Sequence, residues 1–282
     1  MSIFSLFTFA VFAFETVLSP LPDDGIAIPV PEPTPEISFG QLLNYTPPAV
    51  LGAATEEPPT PSLTPRRSRK DNFTIAVLGD SMVDTLGPDI GHLKAELKDA
   101  YTSVAFAILN YGVGGENIDS GISRLTNDYT YLGQYVPSLV SQRPDVVVVE
   151  SFGYNPYIDP TNELDRHWLA LAKIVDTLKK SLPDVKIVIA STIAPNAAIF
   201  GDGALNWDST QKQEKVARIK SYLESTIKFA QSQRIPVADV YTPSGGRSEF
   251  INPGDHIHYS DAGRELFSKV VSDTIVTAKL LE

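Results

Sequence analysis

From residue 73 onward, short apolar runs alternate with longer amphipathic stretches. The runs lie at 75–78, 104–109, 146–149, 185–190 and 235–240, each of strand length. Between them, helical patterning marks 90–100, 131–141, 164–182, 211–233 and 261–281. In 164–182, Leu164, Trp168, Leu171, Ala172, Val175 and Leu178 recur at the spacing of one helix face, which places Trp168 in the core. Strands that alternate with helices predict parallel βαβ units, an α/β fold with helices on both faces of the sheet. Val146 to Val149, apolar on both sides, predicts a central strand.

The preceding residues follow a different pattern. Residues 3–14 (IFSLFTFAVFAF) are uniformly apolar, about the length of a signal-peptide core and short for a membrane span. No basic residue precedes them, so the usual orientation cue is missing. Twelve of the 22 prolines then fall within 20–65, a stretch without lysine or arginine, and this predicts an extended spacer with no packed core. It ends in Arg66-Arg67-Ser68-Arg69-Lys70, read as a solvated charge run. The expected organisation is a hydrophobic segment at 1–19, serving as signal or membrane anchor, a proline-rich linker at 20–70, and one folded domain at 71–282. This order predicts an extracytoplasmic protein, secreted or attached to a membrane through its N-terminal segment.

Charge narrows the choice of partners. Residues 71–282 carry 27 acidic against 19 basic side chains, a net charge of −8, which speaks against nucleic acid. The chain has no cysteine, so no disulfide framework is used, and a domain of this size does not need one.

The first apolar run, 73–78, stops at Gly79-Asp80-Ser81-Met82-Val83-Asp84. A buried strand that ends in Gly-Asp-Ser delivers a serine to the carboxyl edge of the sheet, where α/β proteins place their chemistry. Ser81 is therefore a candidate nucleophile, and it requires a base and an orienting acid. Only four histidines are present. His92 and His167 fall in helical stretches, where surface roles are the default. His256 and His258 lie in Asn252-Pro253-Gly254-Asp255-His256-Ile257-His258-Tyr259-Ser260-Asp261, just before the last helical stretch. One turn brings Asp255 to the ring of His258, whereas an adjacent residue points away from its neighbour. Ser260 or Asp261 caps the helix that follows. Asp80, Asp255, His256 and His258 do not match zinc or iron ligand spacing, and neither a metal nor another cofactor is expected.

Two more segments end strands. Asn110-Tyr111-Gly112-Val113-Gly114-Gly115-Glu116-Asn117 follows the second run, and Gly153-Tyr154-Asn155-Pro156 the third. Glycines in the first allow a tight turn that presents a backbone N–H. The second offers a side-chain amide.

Taken together and in this order, the four segments resemble the SGNH (GDSL-type) hydrolase family over essentially all of 71–282. The resemblance implies a three-layer α/β/α fold around a flavodoxin-like five-stranded parallel sheet. It implies Ser81 as nucleophile, His258 as general base and Asp255 as orienting acid. It implies an oxyanion hole from the N–H groups of Ser81 and Gly115, with Gly114 the fallback, and the Asn155 side chain. Met82 stands where leucine is common, and Pro156 where the family often has aspartate. Asp80, Asp84, Gly114 and Tyr154 are further candidates for substrate contact. So are Phe200 and Trp207 in the long loop 193–208, which serve equally to pack that loop. The implied activity is serine-dependent hydrolysis of carboxylic esters broadly; the expected export and proline-rich spacer point to a small acyl group on an envelope polysaccharide, or a lipid, as substrate. Acyl transfer by the same serine to an envelope glycan, and a non-catalytic envelope-binding module, are the alternatives.

Overall fold

A computed structural model of the chain describes residues 66–282. The apolar segment 1–19 and the proline-rich stretch as far as residue 65 lie outside the described residues. The last part of the proposed linker is attached to the domain: the Arg69 N–H donates to the Leu281 carbonyl at 2.9 Å, Lys70 pairs with Asp145, and Arg66 pairs with Glu282 at 3.4 Å.

The chain runs β1 (Asn72–Gly79), α1 (Ser81–Asp84), α2 (Gly91–Ala100), β2 (Ala105–Gly112), α3 (Ile118–Thr126), β3 (Tyr129–Tyr131), β4 (Gln134–Val136), β5 (Val146–Glu150), α4 (Glu163–Ser181), β6 (Lys186–Ala190), α5 (Ser209–Ser232), β7 (Val237–Ala238), α6 (Tyr241–Ser244) and α7 (Asp261–Thr277). Five strands form one parallel sheet in the order β2-β1-β5-β6-β7, the expected flavodoxin-like arrangement. The alternation of side chains along each strand builds two cores. Ile75, Val77, Val146 and Val148 face one layer with Leu93 and Leu97 of α2 and Phe267, Val271 and Ile275 of α7. Ala76, Leu78, Val147 and Val149 face the other, with Leu171, Ile174 and Leu178 of α4. The chain leaves β1 for β2 on one side and returns to β5 on the other. That switch point, at the carboxyl ends of β1 and β5, is where sheets of this order place their ligands.

Two expectations fail. The helix predicted over 131–141 is instead the hairpin β3–β4 followed by a 3₁₀ turn at Leu139–Gln142. Leu132 and Gly133 both adopt positive φ, 49° and 77°, which makes the two-residue turn whose twist matches paired strands. The face of α4 is also rotated from the predicted one. His167, Ala170, Leu171, Ile174, Val175 and Leu178 are buried, while Leu164 is exposed and Trp168 packs edge-on against Phe229 at the margin. His167, expected at the surface, lies in the core.

Candidate active site

Asp80 caps α1 and so turns the chain at the end of β1. Its Oδ1 accepts the Met82 N–H at 2.8 Å. Ser81 takes the first helical position, where a backbone N–H has no carbonyl one turn before it. The second strand presses directly on this turn: a Cβ on Gly112 would lie 2.1 Å from the Asp84 nitrogen, so only glycine fits. Asn110 fastens the two together, donating to the Val83 and Gly87 carbonyls at 2.9 and 2.8 Å and accepting the Gly112 N–H at 2.8 Å.

Asp255 and His258 share a loop closed by an antiparallel bridge between Ile251 and Tyr259. Asp255 Oδ1 accepts the N–H groups of Ile257 and His258 at 2.9 and 3.1 Å, and Oδ2 meets His258 Nδ1 at 2.8 Å. Burial pushes the Asp255 carboxyl up, but these hydrogen bonds and the His258 charge hold it below the usual range. An ionised carboxylate on Nδ1 fixes the proton there and leaves Nε2 as a lone-pair acceptor. His256 turns away: at φ 53° its Nδ1 donates to the Asp202 carbonyl at 2.8 Å, which ties loop 193–208 to this one. Ser260 caps α7, accepting the Gly263 N–H at 3.1 Å. Among the described residues no hydrogen bond joins Ser81 Oγ to His258, whose ring is bonded to Asp255.

The two glycines after β2 separate clearly. The Gly114 N–H donates to Tyr131 Oη at 3.0 Å, and that hydroxyl donates to Asp84 Oδ2 at 2.8 Å. Gly114 and Asp84 are thereby engaged with the hairpin. Gly115 follows at φ 76°, exposed, and among the described residues its N–H has no hydrogen-bond partner. Asn155 Nδ2 donates to Asp80 Oδ2 at 3.0 Å, which occupies one amide hydrogen and leaves the other for a ligand.

Asp80, Tyr154 and Phe200, considered for substrate contact, are not at the surface. Asp80 and Tyr154 are 0% and 5% exposed, and Phe200, at 2%, is wedged between Tyr154 and Trp207. Tyr154 Oη donates to the Ile193 carbonyl at 3.1 Å, so these aromatic rings pin loop 193–208 to the domain. Trp207 is half-buried at the outer end of the stack.

Three buried polar side chains escaped the sequence reading. Arg124 of α3 donates to the Tyr111 and Gly79 carbonyls at 2.5 and 3.0 Å and so joins the ends of β2 and β1. Burial lowers its pKa. Glu150, the last residue of β5, is fully buried, and burial together with the Asp80 charge raises its carboxyl well above the usual range. Burial likewise raises Asp80, opposed by the Met82 N–H, the Asn155 amide and the charges of His258 and Arg124. His167 Nε2 meets the Ser151 carbonyl at 2.7 Å, and burial lowers its pKa to about 4. A charge that directly continues an all-valine run was the available signal for Glu150. Nothing in the local pattern marked the other two. Among the described residues, no group of three or more His, Asp or Glu side chains is gathered in a way that would hold a metal ion.

The family model described as GDSL-like lipase/acylhydrolase matches residues 75–271. A lipase/acylhydrolase from Enterococcus faecalis superposes with a TM-score of 0.53 at 19% identity, over 73% of this chain and 96% of its own. An acetylxylan esterase from Geobacillus stearothermophilus gives 0.52 at 15%, over 72% of this chain and 94% of its own. A GDSL-like lipase from Bacteroides thetaiotaomicron gives 0.50 at 14%, over 73% and 89%. At such identities the likeness is one of fold. No curated protein sequence matches the chain.

Proposed function

This chain belongs to the GDSL-like lipase/acylhydrolase family and is an ester-hydrolysing enzyme, and we propose that Ser81, His258 and Asp255 are the triad with which it works. His258 Nε2 takes the Ser81 proton as Oγ attacks the ester carbonyl carbon. The charge that develops on the carbonyl oxygen meets the N–H groups of Ser81 and Gly115 and the second amide hydrogen of Asn155. Collapse expels the alcohol, which takes its proton from His258 Nε2. Water then attacks acyl-Ser81, giving its proton to the same nitrogen, and the acid leaves as the serine is restored. The observation that carries this reading is the 2.8 Å contact between Asp255 Oδ2 and His258 Nδ1, because it fixes the tautomer a base needs.

The substrate we propose carries a short acyl group on a carbohydrate. Beside Gly114 the edge carries Tyr131 and Asp84, and Asn155 stands on Asp80, while the aromatic rings of Tyr154 and Phe200 are closed into the core, which favours a small acyl group over a long chain. One neighbour of the same fold is an acetylxylan esterase. The apolar run at 3–14 and the proline-rich 20–65 support a place of action outside the cytoplasm, on envelope polysaccharide. The test is hydrolysis of p-nitrophenyl esters of increasing chain length by the full chain, beside Ser81→Ala. Turnover confined to acetyl and propionyl, and absent in Ser81→Ala, is the expected outcome. A preference for long chains overturns the carbohydrate reading, and an active Ser81→Ala overturns the serine.

A further inference from the structure

We propose that Glu150 is a positioning residue that holds the Ser81 turn and the Asn155 amide in register, an inference that rests on the reading of Asn155 as an oxyanion donor.

The side chain lies inside the sheet edge, between the two segments it would join. Oε1 is bonded by the Ser151 hydroxyl, and Oε2 accepts the Phe152 N–H at 2.9 Å. The Glu150 Cβ packs against the end of β1, where a Cβ on Gly79 would come within 3.0 Å of it, two residues before the serine. Among the described residues Glu150 has no cationic partner, so charge pairing does not account for its place in the core. Hydrogen bonds to the turn that follows it, together with packing against Gly79 at the end of β1, do.

What Glu150 restrains is a strained turn. Phe152 is buried at φ 53°, a conformation an aromatic residue rarely adopts and keeps only where its surroundings over-determine it. Four contacts do so. Glu150 holds the Phe152 N–H, and His167 Nε2 holds the Ser151 carbonyl at 2.7 Å. The Gly153 N–H returns to Ser151 Oγ at 3.2 Å, and the Phe152 ring rests against α3, where a Cβ on Gly121 would lie 2.4 Å from its Cζ. Three residues after Phe152, Asn155 reaches back to Asp80 Oδ2 at 3.0 Å. Glu150 thus grips the Phe152 turn through its hydrogen bonds and abuts Gly79 beside Asp80, so the nucleophile turn and the amide donor share one anchor.

A residue that acts through another should lose its effect when that other is removed. The experiment is a double-mutant cycle of Glu150→Leu with Asn155→Ala in the full chain, on p-nitrophenyl acetate. Glu150→Leu is expected to lower kcat about 30- to 100-fold, the scale of a 1 Å misplacement, with KM within about twofold. In the Asn155→Ala background the same change is expected to cost less than about threefold. Equal losses in both backgrounds, or a loss carried by KM, overturn the inference while leaving Asn155 its role. If Asn155→Ala itself keeps wild-type turnover, the donor reading fails and this inference falls with it. Should Glu150→Leu not fold, Ser151→Ala, which removes one partner of the carboxyl, is judged by the same cycle: coupling to Asn155 supports the shared anchor and additivity overturns it.

Discussion

His256 and His258 sit two positions apart on one loop, yet their ring nitrogens meet different partners, the Asp202 carbonyl and the Asp255 carboxylate. The left-handed backbone at His256 swings its ring toward loop 193–208, while His258 folds back on Asp255. Their substitutions therefore separate. His258→Ala removes the proposed base, and kcat is expected to fall by several decades, the scale seen when a triad member is lost. His256→Ala loosens a loop contact and is expected to stay within about tenfold, mostly in KM. Steady-state kinetics of both proteins on one ester decide the matter; a dead His256→Ala beside an active His258→Ala exchanges the roles.

At the scale of elements, Gly121 sets two rules against each other. It lies inside α3, where alanine is favoured over glycine by about 1 kcal/mol. The Phe152 ring fills the space a methyl group would need, and overpacking of this kind costs about 1–3 kcal/mol. Gly121→Ala is expected to be destabilised on balance, read from the midpoint of chemical unfolding; a raised midpoint would mean that the ring gives way easily. The same competition between local and tertiary effects explains what could be read in the sequence. All five sheet strands were visible because buried parallel strands are written as continuous apolar runs. The place of Ser81 after β1 and the pairing of Asp255 with His258 were legible because each follows a strand or precedes a helix, where turn chemistry is local. The hairpin at 129–136 reads as helix because Leu132, Tyr135, Val136 and Leu139 fall at i, i+3, i+4 and i+7, whereas what decides the structure is the pair of positive φ values at Leu132 and Gly133. The rotated face of α4 was missed for another reason. His167 is polar in any scale, and only its bond to the Ser151 carbonyl makes it a core residue.

For the molecule as a whole, His167 makes stability depend on pH. Its folded pKa of about 4 lies below that of an unfolded histidine, about 6.5, so between these values the unfolded chain binds the extra proton. Stability is therefore lost as pH falls through that window, by about 3 kcal/mol at its lower end, and nothing is lost above it. Asp80 and Glu150, whose carboxyls are raised, act in the opposite sense, because the fold takes up their protons before the unfolded chain does. His167→Gln keeps a donor for Ser151 but cannot be protonated. Denaturant unfolding of both proteins at pH 7 and pH 4 is expected to show the gap between them narrowing by about 3 kcal/mol. A gap that stays constant would mean that His167 is solvated or charged in the fold.

Ser81 opens the folded part and His258 stands close to its last helix. Arg264 of α7 donates to the Thr85 carbonyl at 3.0 Å, just beyond the nucleophile turn, and α7 packs with α2 in the same layer. During synthesis the proposed nucleophile emerges long before its proposed base, so on this reading a chain halted ahead of residue 255 carries Ser81, Gly115 and Asn155 yet stays inert. Contacts this distant along the chain close slowly. Ester cleavage is then a late reporter of folding, a signal that switches on only once the two extremes of the domain have met.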